Sequence, residues 1–438
     1  MGSQFAHDRF EGLHAVQHDR FAEPFGPVEL FAENPELGLP ADRAGIVQAD
    51  LADQIDFAAG CVRDPDGKSG VAALTSGMLD LGAADLDERE IASRLADVGA
   101  VLSGGADIER ASLHLRTLSA DDRRLPALAL MRSVLAAPQF PADVLAREKA
   151  RTIAGLKEAA IRPEVIAART FWRLLYPGHP YGRDVTPESV VSIGRDDLVE
   201  FHRRHYTAAN ASVTLVGDLS RAQAQALAEE LTAGLPAGGA APPGAPPVVP
   251  LTAPVEERVA HAAAQAHVLV GLPALKRGDP DFFALAVGNY TLGSGGFVSR
   301  LMQEVREKRG MAYSVGSHFM PLTQSGPFEI SLQTKKAQAD EALGVVRTVL
   351  QRFIAEGPSA AELRAAKQNL VGSFPLRLDS NGKILDNVAL IGFYGLPLDY
   401  LDRYAENVEK VSANDVRAAF ARHVAIDRLV TVVVGGEQ

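Results

Sequence analysis

The chain has 438 residues, 47% of them hydrophobic and 23% charged, so it is long enough for two or more globular domains. Its 55 acidic and 44 basic residues give a formal net charge of −11, which argues against nucleic acid or an anionic membrane as a partner. The single cysteine, Cys61, excludes an intrachain disulfide, and no apolar run reaches membrane-spanning length.

The first 25 residues are polar and lack the apolar stretch of a signal peptide. His14 and His18 lie four residues apart, a spacing that would suit a metal on a helix. No carboxylate accompanies them at motif spacing, so we predict that residues 1–25 form a polar extension that is solvated or frayed.

Hydrophobic periodicity predicts alternating strands and helices through the first half of the chain. Asp87 and Glu90 have the spacing of a capping box and predict the start of a helix through Leu95. The other predicted elements are strands at 28–31, 55–59, 112–118 and 212–216 and helices at 70–81, 128–135, 144–160 and 196–205.

A segment rich in Gly, Ala and Pro at 234–254 predicts a linker that divides the chain almost in half. The halves repeat one another: Leu145 and Lys149 match Leu363 and Lys367 at a constant offset of 218. The mixed order of strands and helices predicts an α+β fold of two homologous α/β sandwich domains, each a mixed sheet with helices on one face. We place these domains at 26–233 and 255–438.

A glycine-rich loop, Gly293-Ser294-Gly295-Gly296, opens the most informative stretch of the second half. Helical spacing then relates the apolar residues Val298, Leu301, Met302 and Val305, and Gly310 is a natural helix stop before a strand that begins at 311. Arg306 therefore falls near the end of a helix and Tyr313 near the start of a strand, where the two side chains can approach each other across the turn.

This stretch resembles the signature of the pitrilysin-type zinc metallopeptidases, the family of mitochondrial processing peptidase and insulin-degrading enzyme. The glycine loop, Ser-Arg-Leu at 299–301, Arg-Glu-Lys-Arg-Gly at 306–310 and Ala-Tyr-Ser at 312–314 carry the likeness, which runs from about residue 28 to the end. In that family an arginine and a tyrosine seven residues apart contact the substrate carbonyl, and here the spacing falls on Arg306 and Tyr313. The resemblance also implies two domains that close like a clam around a peptide chamber.

The resemblance locates the zinc motif His-x-x-Glu-His at a place where its residues are missing. The sequence Gly-Val-Ala-Ala-Leu-Thr-Ser-Gly-Met at 70–78 is similar to the family's Gly-x-Ala-His-Phe-Leu-Glu-His-Met. Ala73 and Gly77 therefore stand at the histidine positions and Ser76 at the glutamate position. Alanine and glycine have no side-chain lone pair to offer zinc, and a serine hydroxyl is a poor general base.

The distal zinc ligand would lie near 153–156, where there is no carboxylate; Glu148 and Glu158 bracket this window without a histidine pair to join. The remaining histidines suggest no other metal site, since His202 and His205 share a helix with two arginines and His114 is expected to face solvent on a strand. Ser76 lacks the Gly-x-Ser-x-Gly pattern of a nucleophile elbow. We therefore expect no cofactor in this chain.

The resemblance thus implies a zinc-less subunit of a heterodimeric metallopeptidase that is inactive alone, because the family includes pairs of a zinc-bearing chain and a partner that keeps the arginine–tyrosine pair or the glycine-rich loop. Arg306 and Tyr313 would polarise the substrate carbonyl, the loop Gly293, Ser294, Gly295 and Gly296 would contact the peptide, and a zinc-bearing homologous subunit would be the partner. Two alternatives stay open: a structural subunit like the core proteins of the respiratory cytochrome complex, and a free-standing peptide-binding protein. We expect a periplasmic location if the source is Gram-negative and a signal was removed, and otherwise a cytoplasmic one.

Overall fold

The computed structural model describes residues 51–239 and 244–435 with their side chains, and the backbone of 13–17, 28–33 and residue 50. Within these ranges the strands are β1 (Leu13–Gln17), β2 (Val28–Glu33), β3 (Asp50–Phe57), β4 (Gly82–Ala83), β5 (Leu86–Asp87), β6 (Val101–Ala106), β7 (Ala111–Leu118), β8 (Ala211–Gly217), β9 (Val255–Val259), β10 (Gln265–Leu275), β11 (Ala312–Phe319), β12 (Gly326–Lys335) and β13 (Val430–Val434).

The α-helices of the same ranges are α1 (Val71–Gly77), α2 (Glu88–Asp97), α3 (Asp121–Ala136), α4 (Ala142–Ala159), α5 (Pro163–Leu175), α6 (Pro187–Ser192), α7 (Arg195–His205), α8 (Arg221–Thr232), α9 (Phe282–Asn289), α10 (Ala339–Glu356), α11 (Ala360–Ser373), α12 (Asn381–Tyr394), α13 (Tyr404–Lys410) and α14 (Ala413–His423). Two π-helical turns, Tyr290–Ser294 and Met302–Glu307, lie in the second half. No helix in the described part of the chain combines the length and the apolar composition needed to cross a membrane.

The chain forms two compact units, the first of Met1–Ile153, Val185–Pro243 and Pro375–Asp402. Its sheet has the strand order β1-β2-β8-β3-β7-β6, in which β2 and β8 are parallel and the other neighbours antiparallel. Helix α12 packs against β3 and β8, where its Leu385 meets Ala52 and Val216 in a small apolar cluster.

The second unit comprises Ala154–Asp184, Gly244–Phe374 and Arg403–Gln438. Its sheet has the order β11-β12-β10-β13-β9, with β13 and β9 parallel and the other neighbours antiparallel. This is the same topology as β6-β7-β3-β8-β2 in the first unit. Helix α5 packs on β10 and β13, and the ring of its Phe171 comes so close to Gly271 that a Cβ there would lie 3.0 Å from the Phe171 Cζ.

The mixed α+β architecture predicted from the sequence is confirmed. The compact units differ from the domain boundaries drawn at 26–233 and 255–438, because each unit takes one segment from the other half of the sequence. A helix's apolar periodicity shows which of its faces is buried but does not identify the sheet that buries it. The predicted linker has neither helix nor strand at 234–239 and 244–254, the part of it that the structure describes.

Two local predictions are corrected by the structure. Leu13–Gln17, expected to be frayed, forms a strand paired antiparallel with Val28–Glu33, so His14 lies on a strand rather than a helix, while His18 is outside the described residues. The pairing comes from a distant segment, which local polarity cannot reveal. The helix predicted at 70–81 ends at Gly77, where the Met78 N–H turns back to the carbonyls of the last turn.

The core of the first unit contains a buried acid. Asp53 shares one face of β3 with Leu51, Ile55 and Phe57, and all four side chains are inaccessible to solvent. Neither carboxylate oxygen of Asp53 has a hydrogen-bond partner among the described residues. Burial raises the pKa of Asp53 to about 8, against a smaller opposing attraction from Arg124. The carboxyl group is therefore protonated in the folded protein at neutral pH.

Candidate functional site

Arg306 and Tyr313 lie side by side in the second unit. The Arg306 Cζ is 5.6 Å from the centre of the Tyr313 ring and 4.8 Å from the centre of the Phe297 ring. These distances are in the range of cation–π interactions, so the guanidinium is held between two aromatic side chains. Tyr313 is 77% exposed and Phe297 61%, so both rings are open to solvent. The approach of Arg306 to Tyr313 was expected from their spacing; the contribution of Phe297 was not.

Arg306 belongs to a π-helical turn rather than the α-helix predicted from the apolar spacing. In this turn the Lys308 N–H donates to the Gln303 carbonyl at 3.0 Å, five residues back, and the Met311 N–H closes the end by donating to the Val305 carbonyl at 3.0 Å. The wider turn follows a short 3₁₀ turn at Gly296–Val298. Turns of this kind occur often at functional sites, because they displace side chains from regular helical positions.

Val298 shows how the irregular backbone changes the predicted apolar face. We expected it to line up with Leu301 and Val305, and those two side chains are fully buried. Val298 instead ends the 3₁₀ turn and is 62% exposed. The irregular backbone therefore leaves exposed an apolar side chain that helical periodicity predicts to be buried.

Tyr313 occupies a β-bulge at the edge of its sheet. Ala312 pairs with Thr334 and Ser314 with Gln333, so Tyr313 is an extra residue without a partner on β12. The bulge leaves both Tyr313 and Ser314 exposed, where strict alternation would bury one of them. Within the described residues no group hydrogen-bonds to the Tyr313 hydroxyl, which leaves it free to donate to a ligand.

The glycine loop packs tightly beside this strand. A Cβ at Gly293 would lie 2.9 Å from the Ser317 Cβ and closer still to the Ser317 amide, so only glycine lets the loop approach β11 this closely. A Cβ at Gly295 would lie 2.5 Å from the Tyr290 carbonyl, which the Gly295 N–H itself engages at 2.9 Å. Gly296 has φ +60°, a conformation that glycine adopts without strain. Gly293 and Gly295 therefore have packing roles and Gly296 a conformational one, and a substrate contact by Gly293, Ser294, Gly295 or Gly296 stays a prediction.

An ion pair anchors the segment between the loop and Arg306. Arg300 donates two hydrogen bonds to the Glu362 carboxylate, both 2.8 Å, and a third to the Gly357 carbonyl at 2.9 Å. Its guanidinium also lies 5.1 Å from the centre of the Phe353 ring. The hydrogen bonds from Arg300 hold the pKa of Glu362 down to about 2. This pair ties the loop to α11 and leaves the Arg306 side chain as a separate group at the surface.

The charges around Arg306 leave its guanidinium available to a ligand. Its nearest carboxylate, on Glu307, is 3.9 Å away, too far for a hydrogen bond. The neighbouring cations Lys308 and Arg309 are both engaged with Glu304 at 2.6 Å. Beside the exposed Tyr313 hydroxyl, Arg306 therefore offers N–H donors that suit a carbonyl oxygen or an anion.

The degenerate zinc motif forms the short helix α1 of the first unit. Asp64 fixes its start by accepting hydrogen bonds from the Gly70 and Ala72 amides at 2.7 and 2.8 Å. Ala73 and Gly77 lie one turn apart on the exposed side of the helix. They occupy a suitable place for two ligands but supply none.

Ser76 points away from this surface. Its side chain is buried and lies beside the hydroxyl of Tyr206, whose pKa is raised mainly by its own burial. A serine nucleophile must reach substrate and contact a base. The burial of Ser76 therefore agrees with the sequence argument against that role.

A cavity of about 510 Å³ lies over the end of α1, lined by Ser76, Gly77, Asp80, Leu81, Glu88, Ser103, Gly104, Arg147, Glu148 and Arg151. Glu148, one of the carboxylates that bracket the distal-ligand window, is bound by Arg147 at 2.9 Å and flanked by Arg151 at 3.7 Å. A carboxylate between two arginines, with no imidazole or thiolate among the lining residues, does not fit a zinc ion.

The described residues bring one further group of possible ligands together, Asp279, Asp281 and His423. Arg422 donates hydrogen bonds of 2.8 and 2.7 Å to the two oxygens of Asp281, and His423 lies 3.0 Å from one of them. These hydrogen bonds, led by those of Arg422, hold the pKa of Asp281 below its usual range. We interpret the group as an ion-pair cluster.

His202 and His205, two of the histidines named from the sequence, are buried structural groups. The His202 Nε2 lies 2.8 Å from the Leu135 carbonyl, and burial lowers the pKa of His205 to about 4. His114 is half-buried rather than solvent-facing, because the sheet and its neighbours cover it, and burial lowers its pKa as well.

Fold and site together define a metallopeptidase-like chain whose motif helix lacks the zinc ligands. The family model described as the peptidase M16 inactive domain matches residues 192–370. A crystal structure of a peptidase M16 inactive domain from Pseudomonas fluorescens is 35% identical, covers 97% of this chain and 98% of its own, and superposes with a TM-score of 0.89. The chain belongs to the peptidase M16 inactive-domain family and is an inactive homologue of the M16 peptidases.

Two curated relatives show the range of this similarity. The non-peptidase homologue YmxG of Helicobacter pylori is 26% identical over 319 residues, covering 71% of this chain and 72% of its own. An uncharacterized zinc protease of Mycobacterium tuberculosis is 30% identical over 355 residues, covering 79% of each chain. Similarity in sequence thus extends to proteins named as zinc proteases and to one named as a non-peptidase.

Proposed function

We propose that this chain is the zinc-less subunit of a heterodimeric M16 peptidase and that it binds the peptide substrate through Arg306 and Tyr313. The observation that carries the proposal is the arrangement of these two side chains. Exposed aromatic rings hold the guanidinium at the surface, with no carboxylate in hydrogen-bonding range among the described residues and a free phenol beside it.

The chemistry that such a pair performs follows from its donors. A guanidinium and a phenol side by side can donate to one peptide carbonyl oxygen or to two neighbouring ones. Zinc-assisted hydrolysis builds negative charge on the scissile carbonyl oxygen, and preorganised donors stabilise that charge. Zinc and the water-activating carboxylate would have to come from another subunit, because Ala73, Ser76 and Gly77 supply neither.

A purely structural subunit is the main alternative. It would need no partly exposed cation beside two exposed aromatic rings, since large apolar side chains are stabilising when buried rather than when left in water. The arrangement of Phe297, Arg306 and Tyr313 therefore favours ligand binding. A periplasmic location, with the cytoplasm as the alternative, stays a prediction.

Reconstitution tests the proposal. The chain and each zinc-motif-bearing M16 homologue encoded in the same genome are purified separately, and cleavage of a quenched-fluorescent peptide library is measured for each alone and for the mixtures. We expect one mixture to form a 1:1 complex and to cleave peptides faster than either component, with the zinc bound to the partner. The absence of any complex, or equal cleavage by the partner with and without this chain, would refute the heterodimer.

A further inference from the structure

Phe297, Arg306 and Tyr313 form a group of neighbouring side chains. Neither the sequence nor the comparisons assign a role to Phe297. Its side chain is 61% exposed, yet its backbone is fixed on both sides. The Gln303 side-chain amide donates to the Phe297 carbonyl at 2.6 Å. On the other side, Ser299 is fully buried and its hydroxyl and amide both donate to the Gly296 carbonyl, at 2.7 and 3.0 Å.

The Arg306 guanidinium has few other constraints. It makes no hydrogen bond within the described residues, and its nearest carboxylate is 3.9 Å away. An arginine side chain has several rotatable bonds and loses considerable entropy when it is fixed. Of the two rings that contact the guanidinium, Phe297 is the closer, at 4.8 Å against 5.6 Å for Tyr313.

We infer that Phe297 is a positioning residue that holds the Arg306 guanidinium against the Tyr313 ring in the orientation required to bind the peptide carbonyl. The inference about peptide binding rests on the proposed function, whereas the orientation of the guanidinium does not. Phe297 has no polar side-chain atom to offer the carbonyl, so its effect reaches the substrate through Arg306.

Matched variants separate this role from a general apolar contact. Phe297→Leu keeps an apolar side chain but removes the aromatic ring, whereas Phe297→Tyr keeps the ring. Val298→Ala is the control, since Val298 is equally exposed at 62% and follows directly in the chain but makes no contact of this kind with Arg306.

The first measurement is a ¹H–¹⁵N spectrum of the full chain labelled at arginine, with the Arg306 Nε–H signal assigned by its loss in Arg306→Lys. Protons over an aromatic face experience a ring-current shift. We expect the signal to move in Phe297→Leu, to remain near its original position in Phe297→Tyr, and to stay in place in Val298→Ala. An unmoved signal in Phe297→Leu would overturn the positioning role even if peptide binding proved correct.

The second measurement is the affinity of a fluorescein-labelled peptide chosen as the tightest binder from a tryptic casein digest. We expect Phe297→Leu to weaken binding roughly 2- to 30-fold, the range from an exposed to a desolvated cation–π pair, and Phe297→Tyr to bind about as tightly as the wild type. In an Arg306→Ala background the Phe297→Leu change should have no further effect.

The outcomes distinguish the positioning role of Phe297 from the proposal that the chain binds peptides through Arg306. An equal loss in both backgrounds would mean that Phe297 contacts the peptide directly and does not act through Arg306. If Arg306→Ala itself leaves peptide binding unchanged, or if no casein peptide binds the wild-type chain, the peptide-binding proposal fails while the spectrum still decides whether Phe297 orients the guanidinium.

Discussion

Replacing Tyr313 by phenylalanine tests the proposed catalytic contribution with the smallest change that the site allows. The substitution deletes one hydroxyl and keeps the ring whose centre lies 5.6 Å from the Arg306 Cζ. The ring is 77% exposed and no described residue hydrogen-bonds to its hydroxyl, so nothing in the fold loses a partner. We therefore expect the thermal midpoint of the chain and its assembly with the partner to be unchanged.

The size of the kinetic effect distinguishes two roles for the hydroxyl. A hydrogen bond made equally to the substrate and the transition state contributes about 0.5–1.5 kcal/mol, which would raise KM by roughly 2- to 12-fold and leave kcat alone. A donor aimed at the charge that develops in the transition state is worth roughly 10²–10³-fold in kcat. Because Tyr313 and Arg306 lie side by side and can both donate to one oxygen, we expect the loss in kcat rather than the rise in KM.

The assay is steady-state peptide cleavage by the reconstituted pair, with zinc content and thermal melting measured on the same samples. Ser314→Ala is the matched control, because it also removes an exposed hydroxyl from β11 without touching Arg306. Arg306→Lys should retain only part of the cleavage activity that Arg306→Ala loses, since an ammonium keeps the charge but lacks the planar guanidinium. Wild-type turnover by a properly assembled Tyr313→Phe, Arg306→Ala double variant would refute the reasoning.

Restoring the zinc motif with Ala73→His, Ser76→Glu and Gly77→His should give no peptidase activity from this chain alone, because the distal carboxylate is still missing; zinc-dependent cleavage by that variant would contradict this. Gly293→Ala should lower stability by about 1–3 kcal/mol in chemical denaturation, since its Cβ would overlap β11, and an unchanged midpoint would show that the loop relaxes freely. The free energy of unfolding of Asp53→Asn should exceed that of the wild type by a margin that grows between pH 4 and 8, by up to about 1.4 kcal/mol per pH unit. The reason is that the raised pKa of about 8 makes the wild-type chain take up a proton when it folds in this range. A pH-independent difference between the two chains would contradict the buried neutral acid.

The parts of the fold that sequence predicts well are those fixed by near neighbours in the chain. The capping box at Asp87 and Glu90 forms as predicted: Asp87 accepts from the Glu90 amide at 2.8 Å, and its own amide donates to the Glu90 carboxylate at 2.9 Å. The alternation that predicts a strand at 112–118 is found in β7, whose successive residues alternate between buried and more exposed. Each signal depends on residues within one element, so no knowledge of the tertiary structure is needed.

The helix exchange between the units has no such signal. Helices α5 and α12 have ordinary apolar faces, and the sequence gives no reason for Phe171 to meet β10 or for Leu385 to meet β3 and β8. The choice depends on where the chain can travel after α4 and α11, which only the assembled sheets determine. Contiguous domain boundaries were therefore the natural prediction, and the discontinuous units are a finding of the structure.

The candidate site was predicted in its residues but not in its backbone. The spacing of Arg306 and Tyr313 suggested their approach, yet helical periodicity placed Val298 on a buried face and strand periodicity allowed no bulge at Tyr313. Sequence periodicity does not distinguish an α turn from a π turn, and Gly293 of the first π turn packs against Ser317, a contact that is remote in sequence. The ring of Phe297, nine residues before Arg306, was missed because a regular helix would place these two side chains on opposite faces.

These backbone irregularities favour a functional interpretation of the site. A π-helical turn replaces the favoured hydrogen bonds of an α-helix, and a β-bulge gives up regular pairing on one strand. Neither one buries a polar group or an aromatic ring here, since both Arg306 and Tyr313 remain accessible to solvent. What the two irregularities have in common is their result: they bring a guanidinium and a phenol together at the surface. Stability alone gives no reason for that arrangement, whereas binding a peptide carbonyl does.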